Sequence, residues 1–195
     1  MHNPAHVVEN INLLLTIYCR LYLGKVYVVG GYVRRLYEGS DVSLCDIDLW
    51  FKDKHSEMCF RDWYVDHKTS ENEYQTSYEI EGRKFQVLPR KEDDGSNVVN
   101  FLNRFDYRMC QLASDGLGLV SLRHTLNDIE HKAIVPTDYL LGRKDLHDYQ
   151  RSLCRLKKYI LQGYAITTEN MVSILNPFCK LVYPSESGNV QSEIR

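Results

Sequence analysis

The chain has 195 residues, of which 26% are charged and 44% hydrophobic, and its formal net charge at pH 7 is -2. This composition is that of a globular domain with its own core, so it excludes a largely disordered chain and argues against two full domains. Because the chain lacks a global positive charge, any contact with nucleic acid must come from a local basic face.

The cysteine spacing and the hydropathy pattern point to a reducing compartment. The six cysteines contain no CxxC pair, so their spacing favours neither a zinc site nor a disulfide framework. No apolar run is long enough to span a bilayer, and the N-terminus lacks the layout of a signal peptide. We therefore expect a cytoplasmic protein with free thiols and no membrane partner.

The first third of the chain predicts a compact series of helices and strands. Apolar residues at helical spacing predict a first helix over residues 7–23. A β-branched apolar run, a glycine pair, a short amphipathic stretch and a second apolar run follow. These predict strands over 25–29 and 44–51, with a short helix over 32–37 between them.

The middle of the chain predicts antiparallel strands. Residues 78–88 alternate around a Glu-Gly-Arg turn and predict a hairpin. Residues 105–113 also alternate, and they turn at Asp115-Gly116 into a strand over 117–122. The remaining predictions are a helix around 60–65, a polar loop over 67–75, a short helix over 98–102, and a helical last third whose strongest helix covers 148–162.

These elements predict an α+β fold with a mixed, mostly antiparallel sheet, flanking helices and a small C-terminal helical portion. Residues 1–122 are expected to form the core and residues 123–184 a helical portion packed on it. Residues 185–195 are expected to be a disordered tail.

The chemistry of the chain is concentrated in the motif Asp46-Ile47-Asp48 and in the glycine pair before it. Residues two apart on a strand share a face, so Asp46 and Asp48 can bind one divalent cation while Ile47 faces the core. Carboxylate oxygens suit magnesium, and the backbone at Gly30-Gly31 can approach a polyphosphate closely. Each signal alone is typical of an ordinary turn or a solvated strand end, but together they favour nucleotidyl transfer from a nucleoside triphosphate.

The sequence VVGGYVRRLYEG, followed by DIDLW, resembles the nucleotidyltransferase superfamily related to DNA polymerase β. It is most similar to the head of the CCA-adding and poly(A) polymerases, whose pattern is G-G-x-V-R-D-x-L-x-G and then D-I-D. Arg35 departs, since it stands where that group has Asp. Residues 105–116 and 155–164 are similar instead to small viral and phage-type nucleotidyltransferases. The matching residues are Gly30, Gly31, Val33, Arg34, Leu36, Gly39, Asp46 and Asp48.

The resemblance implies transfer of a nucleoside monophosphate from an NTP to a hydroxyl of RNA, protein or a small molecule, with release of pyrophosphate. It implies two Mg²⁺ ions held by Asp46 and Asp48. Asp106 is the candidate for a third catalytic and metal-binding carboxylate, while Gln86 occupies the alternative strand. The residues implied for nucleotide binding are Gly30, Gly31, Arg34, Arg155, Lys157, Lys158 and Tyr159.

Several alternatives stay open at the level of sequence. Arg34 can pair with a core carboxylate instead of a phosphate, and the basic cluster at 155–158 can be a solvated helix face. DNA is not expected as a partner. Complete CCA addition is not expected either, because the sequence contains no long helical body of the kind with which CCA-adding enzymes grip tRNA. The rival function is a catalytically inactive relative that binds a nucleotide or a partner protein.

Overall fold

A computed structural model describes residues 3–19, 25–91 and 95–183 as a single sheet with helices around it. The helices are α1 (Pro4–Tyr18), α2 (Gly31–Tyr37), α3 (Lys54–Trp63), α4 (Val98–Leu102), α5 (Thr125–Glu130), α6 (Asp138–Leu141), α7 (Leu146–Leu161) and α8 (Thr168–Val182). Single 3₁₀ turns cover Val65–His67 and Arg108–Cys110. The strands are β1 (Val26–Val29), β2 (Ile47–Phe51), β3 (Lys68–Glu71), β4 (Thr76–Ile80), β5 (Arg83–Val87), β6 (Leu112–Ser114) and β7 (Leu119–Ser121).

The strands within these ranges form one sheet in the order β3-β4-β5-β2-β1-β6-β7. Strand β2 runs parallel to β5, and the other neighbouring pairs are antiparallel. The prediction of a mixed, mostly antiparallel sheet with flanking helices is therefore confirmed.

The two faces of the sheet differ in what covers them. Ile47 and Leu49 of β2 are buried in the main core, which also contains side chains of α1, α2, α3 and α7. Trp50 lies on the opposite face, where its ring stacks on Phe101 of α4 with 5.3 Å between centroids. Helix α4 has only five residues, and Asp48, which shares this face with Trp50, keeps partial exposure.

Three predicted elements differ from the structure. The strand predicted over 44–51 begins only at Ile47, because the preceding loop is tied by hydrogen bonds from Ser43 to Asp41. The strand predicted over 105–113 is wrong for most of its length, since a 3₁₀ turn precedes β6. The predicted loop over 67–75 contains β3, a fully exposed edge strand without the apolar alternation that reveals strands.

Other local predictions are confirmed. The hairpin of β4 and β5 turns at Glu81 and Gly82, which both have positive φ, as the predicted Glu-Gly-Arg turn requires. The helix predicted over 148–162 is α7, although it starts two residues earlier. The first helix also starts earlier than predicted and ends at Tyr18, and part of its predicted C-terminal end lies outside the described residues.

The C-terminal helices join the main core. Tyr149, Leu156 and Tyr159 of α7 and Ile174 of α8 are buried in the same hydrophobic cluster as the sheet. The domain division after residue 122 stays a prediction, and the predicted tail over 185–195 lies outside the described residues. Among the described helices, none is long and apolar enough to cross a membrane.

Candidate active site

Asp46 and Asp48 lie at the start of β2 on the face that α4 leaves open. Asp46 directly precedes the strand and is exposed, while Asp48 is partly buried. Burial, and after it the nearby charge of Asp46, raise the pKa of Asp48 to about 7 against the opposing charges of Arg155, Lys158 and Lys84. The two carboxylates therefore repel each other in a site where cations already partly compensate them.

Gln86 occupies the position beside this pair on the neighbouring strand. The parallel pairing of β2 with β5 makes Asp48 and Gln86 direct partners. The Gln86 side chain donates a hydrogen bond from Nε2 to Oδ2 of Asp46 at 3.0 Å. Lys84, two residues earlier on β5, places Nζ 3.4 Å from Oδ1 of Asp46. The alternative strand considered from the sequence thus brings an amide and an ammonium group to Asp46, with no third carboxylate.

A cavity of about 880 Å³ lies above the carboxylate pair, between the sheet, α2 and the helices α6 and α7. Asp46, Asp48 and Gln86 line it from the sheet. The carboxylates of Asp41, Glu73, Asp106 and Asp148 line it as well, but they are outnumbered by eight cationic side chains from five parts of the chain. These are Arg34, Arg35, Lys91, Arg104, Arg143, Arg151, Arg155 and Lys158.

Helix α7 presents its basic residues to this cavity selectively. Arg151, Arg155 and Lys158 are spaced by four and three residues, so they share one helix face, and all three line the cavity. Lys157 is exposed but does not belong to that lining. Tyr159 lines the cavity from a buried position, where its hydroxyl accepts a hydrogen bond from Cys110 Sγ at 3.1 Å.

Asp106 lies in the loop before the 3₁₀ turn and is 3% exposed. Its Oδ1 accepts a hydrogen bond from Arg143 Nη2 at 2.7 Å, and its Oδ2 pairs with Arg155 Nη1. Across the described ranges, no group of three or more His, Cys, Asp or Glu side chains is placed to hold a metal ion. The role of Asp106 as a third metal ligand stays a prediction. In this structure its partners are two arginines.

Gly30, the first residue of the glycine pair, is needed for close packing at the start of α2, whereas a Cβ on Gly31 would meet nothing within 4 Å. Gly30 has φ +69° and ψ -130°, and a Cβ added there would lie 2.9 Å from Cε1 of Phe105. The Gly30 amide donates to the carbonyl of Leu112 at 2.9 Å, so this amide is already used within the fold. Gly31, the first residue of α2, lines the cavity.

Arg34 pairs with a core carboxylate, which was the alternative to contact with a phosphate. Its side chain is 2% exposed and pairs with Glu38 at 3.1 Å. Its Nη2 donates to Gln162 at 2.6 Å, and its guanidinium lies 4.9 Å from the ring centroid of Tyr164. Arg34 therefore joins α2 to the end of α7, although part of it reaches the cavity wall.

An arginine–tyrosine contact that sequence reasoning missed lies at the other end of the cavity. The guanidinium carbon of Arg151 lies 3.8 Å from the ring centroid of Tyr74, which belongs to the loop between β3 and β4. Arg151 could have been found from its helical spacing to Arg155. Tyr74 and Arg143 carry no comparable signal, because only the tertiary fold brings them to the cavity.

Comparisons with known proteins give a consistent result for the fold. No family model matches the sequence, and no curated protein matches it. A Thermotoga maritima CCA-adding enzyme complexed with tRNA is similar in structure, with a TM-score of 0.65 and 16% identity, over 87% of this chain and 44% of that one. A Bacillus stearothermophilus CCA-adding enzyme in complex with CTP gives 0.59 and 19%, over 90% and 44%.

A third similar structure is a CCA-adding enzyme with ATP, with a TM-score of 0.64 and 17% identity, over 89% of this chain and 45% of that one. The chain thus spans less than half the length of each of these enzymes. The chain therefore has the nucleotidyltransferase-like fold found in the CCA-adding enzymes.

Proposed function

We propose that this protein is a metal-dependent nucleotidyltransferase that transfers a nucleoside monophosphate from an NTP to a hydroxyl of RNA and releases pyrophosphate. The observation that carries this proposal is the pair Asp46 and Asp48 in one cavity with Arg155 and Lys158. A carboxylate pair next to a basic wall suits a substrate that brings a polyphosphate together with divalent cations.

The residues present fit magnesium. Asp46 and Asp48 supply hard oxygen donors, and their mutual repulsion, which adds to burial in raising the pKa of Asp48, is relieved when a divalent cation binds between them. The exposure of Asp46 leaves room for water and phosphate oxygens in the coordination shell. When bound, magnesium supplies positive charge that stabilises the attacking and leaving oxygens of an in-line displacement. We expect two such ions, as in the resemblance described above.

Arg155 and Lys158 are proposed to bind the triphosphate. Arg155 is oriented by its ion pair with the buried Asp106, which also holds Arg143. A guanidinium that is fixed in this way can donate bidentate hydrogen bonds to phosphate without first being ordered. In this proposal Asp106 is a positioning residue for the two arginines.

The nucleoside is proposed to lie toward Tyr74 and Arg151. The aromatic ring and the guanidinium form a flat pair at that end of the cavity, and such surfaces stack well on a nucleobase. This orientation leaves the phosphates beside Arg155 and Lys158, close to the carboxylates.

RNA is proposed as the acceptor because of the fold comparison. The similar structures are CCA-adding enzymes, one of them complexed with tRNA and others with ATP or CTP. A protein or a small molecule as acceptor is an alternative that the same chemistry permits. The rival function, nucleotide binding without catalysis, does not require an intact carboxylate pair at the cavity floor.

The test is transfer of label from each α-labelled NTP to RNA in the presence of Mg²⁺, with pyrophosphate release measured in parallel. Asp48→Asn is expected to abolish both signals because it removes one anionic ligand while nearly preserving shape. Asp62→Asn, an exposed aspartate of α3 outside the cavity lining, is the matched control and should retain full activity. Equal activity in Asp48→Asn would contradict the mechanism.

The same experiment separates the alternatives. Label on protein or on a small molecule, with none on RNA, identifies a different acceptor. NTP binding without any label or pyrophosphate release supports the catalytically inactive alternative. Circular dichroism of each variant checks that a loss of activity is not a loss of fold.

A further inference from the structure

Arg35 lies at the wall of the cavity that α2 contributes, one residue after the buried Arg34. It stands at the position where the pattern of the CCA-adding and poly(A) polymerases has an aspartate. The local charge at this position is therefore reversed in sign. None of the roles assigned above uses this cation.

The guanidinium of Arg35 is held in one orientation by the following loop. Its Nε and Nη2 both donate to the backbone carbonyl of Asp41, at 3.0 and 2.6 Å. That loop is closed on itself, because the Asp41 carboxylate accepts hydrogen bonds from the amide and hydroxyl of Ser43, each at 2.9 Å. The Ser40 amide in turn donates to the Arg35 carbonyl at 2.9 Å.

One edge of this guanidinium stays open to the cavity. Within the described ranges, Nη1 of Arg35 has no hydrogen-bond partner, and no carboxylate forms an ion pair with the side chain. An arginine that is already oriented and still has free N–H groups is suited to a phosphate oxygen. The Asp41 carboxylate lines the same cavity, and its pKa is lowered first by hydrogen bonds from Ser43 and then by the charge of Arg35. Its oxygens accept from Ser43 and leave Nη1 of Arg35 unpaired among the described residues.

Leu44 adds an apolar surface to the same wall. It is 96% exposed and lines the cavity two residues before Asp46. Its neighbours Val42 and Cys45 both pack against the core, and the Cys45 amide donates to the Val42 carbonyl at 3.1 Å. Leu44 is thus held outward by a tight turn, next to the carboxylate pair.

The wall formed by α2 lies at the opposite end of the cavity from the proposed nucleoside. The cavity follows α7 from Arg151 to Gln162, which is ~16 Å along the helix axis. The contact of Arg151 with Tyr74 lies at one end, and α2 packs against the other end through Arg34 and Gln162. A nucleotide bound toward Tyr74 leaves the α2 end as the side from which a hydroxyl can reach the carboxylates.

We propose that Arg35 and Leu44 form the acceptor subsite. Arg35 binds a phosphodiester near the 3′ end of a single-stranded RNA, and Leu44 contacts the terminal nucleoside, whose hydroxyl then faces Asp46. This inference rests on the proposed function and adds to it the residues that select a phosphate-bearing acceptor. With a net charge of -2 the chain as a whole does not attract RNA, so binding depends on local cations such as Arg35.

The test compares the variants Arg35→Gln, Arg35→Asp and Leu44→Ser with the wild-type chain. The probe for binding is a short, fluorescently labelled single-stranded RNA with a free 3′ hydroxyl, measured by anisotropy over a range of salt concentrations without NTP. Arg35→Gln removes the charge and the guanidinium donors while keeping an uncharged polar side chain. Arg123→Gln is the matched control, because Arg123 is exposed and lies outside the cavity lining.

Arg35→Asp is expected to raise the KM for RNA about tenfold, and Leu44→Ser about threefold, while the KM for NTP changes less than about twofold. For Arg35→Gln, the slope of log affinity against log salt should fall in magnitude by about 0.7, the contribution of one phosphate contact to a single strand. Arg123→Gln should reproduce the wild-type slope.

The outcomes separate this inference from the proposed function. If the wild type transfers nucleotide to RNA but Arg35→Gln leaves the KM for RNA and the salt slope unchanged, the acceptor subsite is wrong and the transferase stands. If the wild type neither binds the RNA nor labels it with any NTP, the proposed function fails and the subsite fails with it. Label on protein alone, without RNA binding, also overturns the subsite.

Discussion

The Gln86 side chain donates a hydrogen bond to Asp46 across 3.0 Å, from a strand that runs parallel to the one that begins beside Asp46. The amide thereby orients one carboxylate of the pair without adding negative charge. The described part of the chain consequently brings two carboxylates, and no third, to this point of the sheet. The metal affinity of the site should therefore depend on the residue at position 86.

Gln86→Glu is expected to strengthen binding of divalent cations about tenfold, since it adds a third carboxylate beside Asp46 and Asp48. It should also destabilise the metal-free protein near pH 7, because three like charges then share a partly buried site. Binding of Mn²⁺ followed by electron paramagnetic resonance, together with thermal unfolding, measures both effects. Gln150→Glu, at an exposed position of α7, should change neither quantity. Weaker Mn²⁺ binding in Gln86→Glu would contradict this account.

The raised pKa of Asp48 predicts a pH-dependent loss of stability in the metal-free protein. Its ordinary pKa of 3.8 rises to about 7 in the fold, so the folded state binds more protons than the unfolded state between these values. The free energy of unfolding therefore falls as pH rises from 4 to 7, by no more than ~4 kcal/mol from this group.

Asp48→Asn removes this titration and should be more stable than the wild type at pH 8 but equally stable at pH 4. Urea unfolding in the presence of a chelator, at pH 4, 6 and 8, measures the difference. Asp62→Asn serves as a control with no such pH dependence. A stability difference that stays constant with pH would show that Asp48 has an ordinary pKa.

Asp106→Asn distinguishes a metal ligand from a positioning residue. Removing the buried carboxylate breaks ion pairs with Arg143 and Arg155, so the free energy of unfolding should fall by about 3 kcal/mol. If Asp106 acts by holding Arg155, NTP affinity falls while Mn²⁺ affinity is unchanged. If it binds metal, Mn²⁺ affinity falls as well, and a titration of the refolded variant with Mn²⁺ decides between these roles.

Gly30→Ala is expected to be more harmful than Gly39→Ala, although both glycines have φ +69°. An added Cβ at Gly39 meets nothing within 4 Å, so only the backbone conformation opposes it, at a cost of about 1–2 kcal/mol. At Gly30 the added Cβ lies 2.9 Å from Phe105, which adds about 1–3 kcal/mol of overpacking. Melting temperatures of the two variants test this order, and equal values would exclude a steric role for Phe105.

The fold class and half of the candidate site follow from local patterns in the chain. A strand alternates its side chains, so Asp46 and Asp48 share a face and Ile47 is buried, as predicted. A helix repeats every 3.6 residues, so Arg155 and Lys158 reach the cavity together. The same helical period turns Lys157 away from that face. The prediction that grouped Lys157 with Arg155 and Lys158 did not take this period into account.

The other residues of the candidate site are brought together by contacts between distant parts of the chain. Gln86 meets Asp46 through strand pairing, and Arg34 meets Gln162 across the interface of α2 and α7. Asp106 meets one arginine from α7 and one from the loop before it. Local periodicity determines the direction of a side chain from its own element, but it carries no information about which element packs opposite. The sequence by itself therefore determined the carboxylate pair and the chemistry it suits, and only the tertiary structure decided which cations, which amide and which wall of the cavity surround that pair.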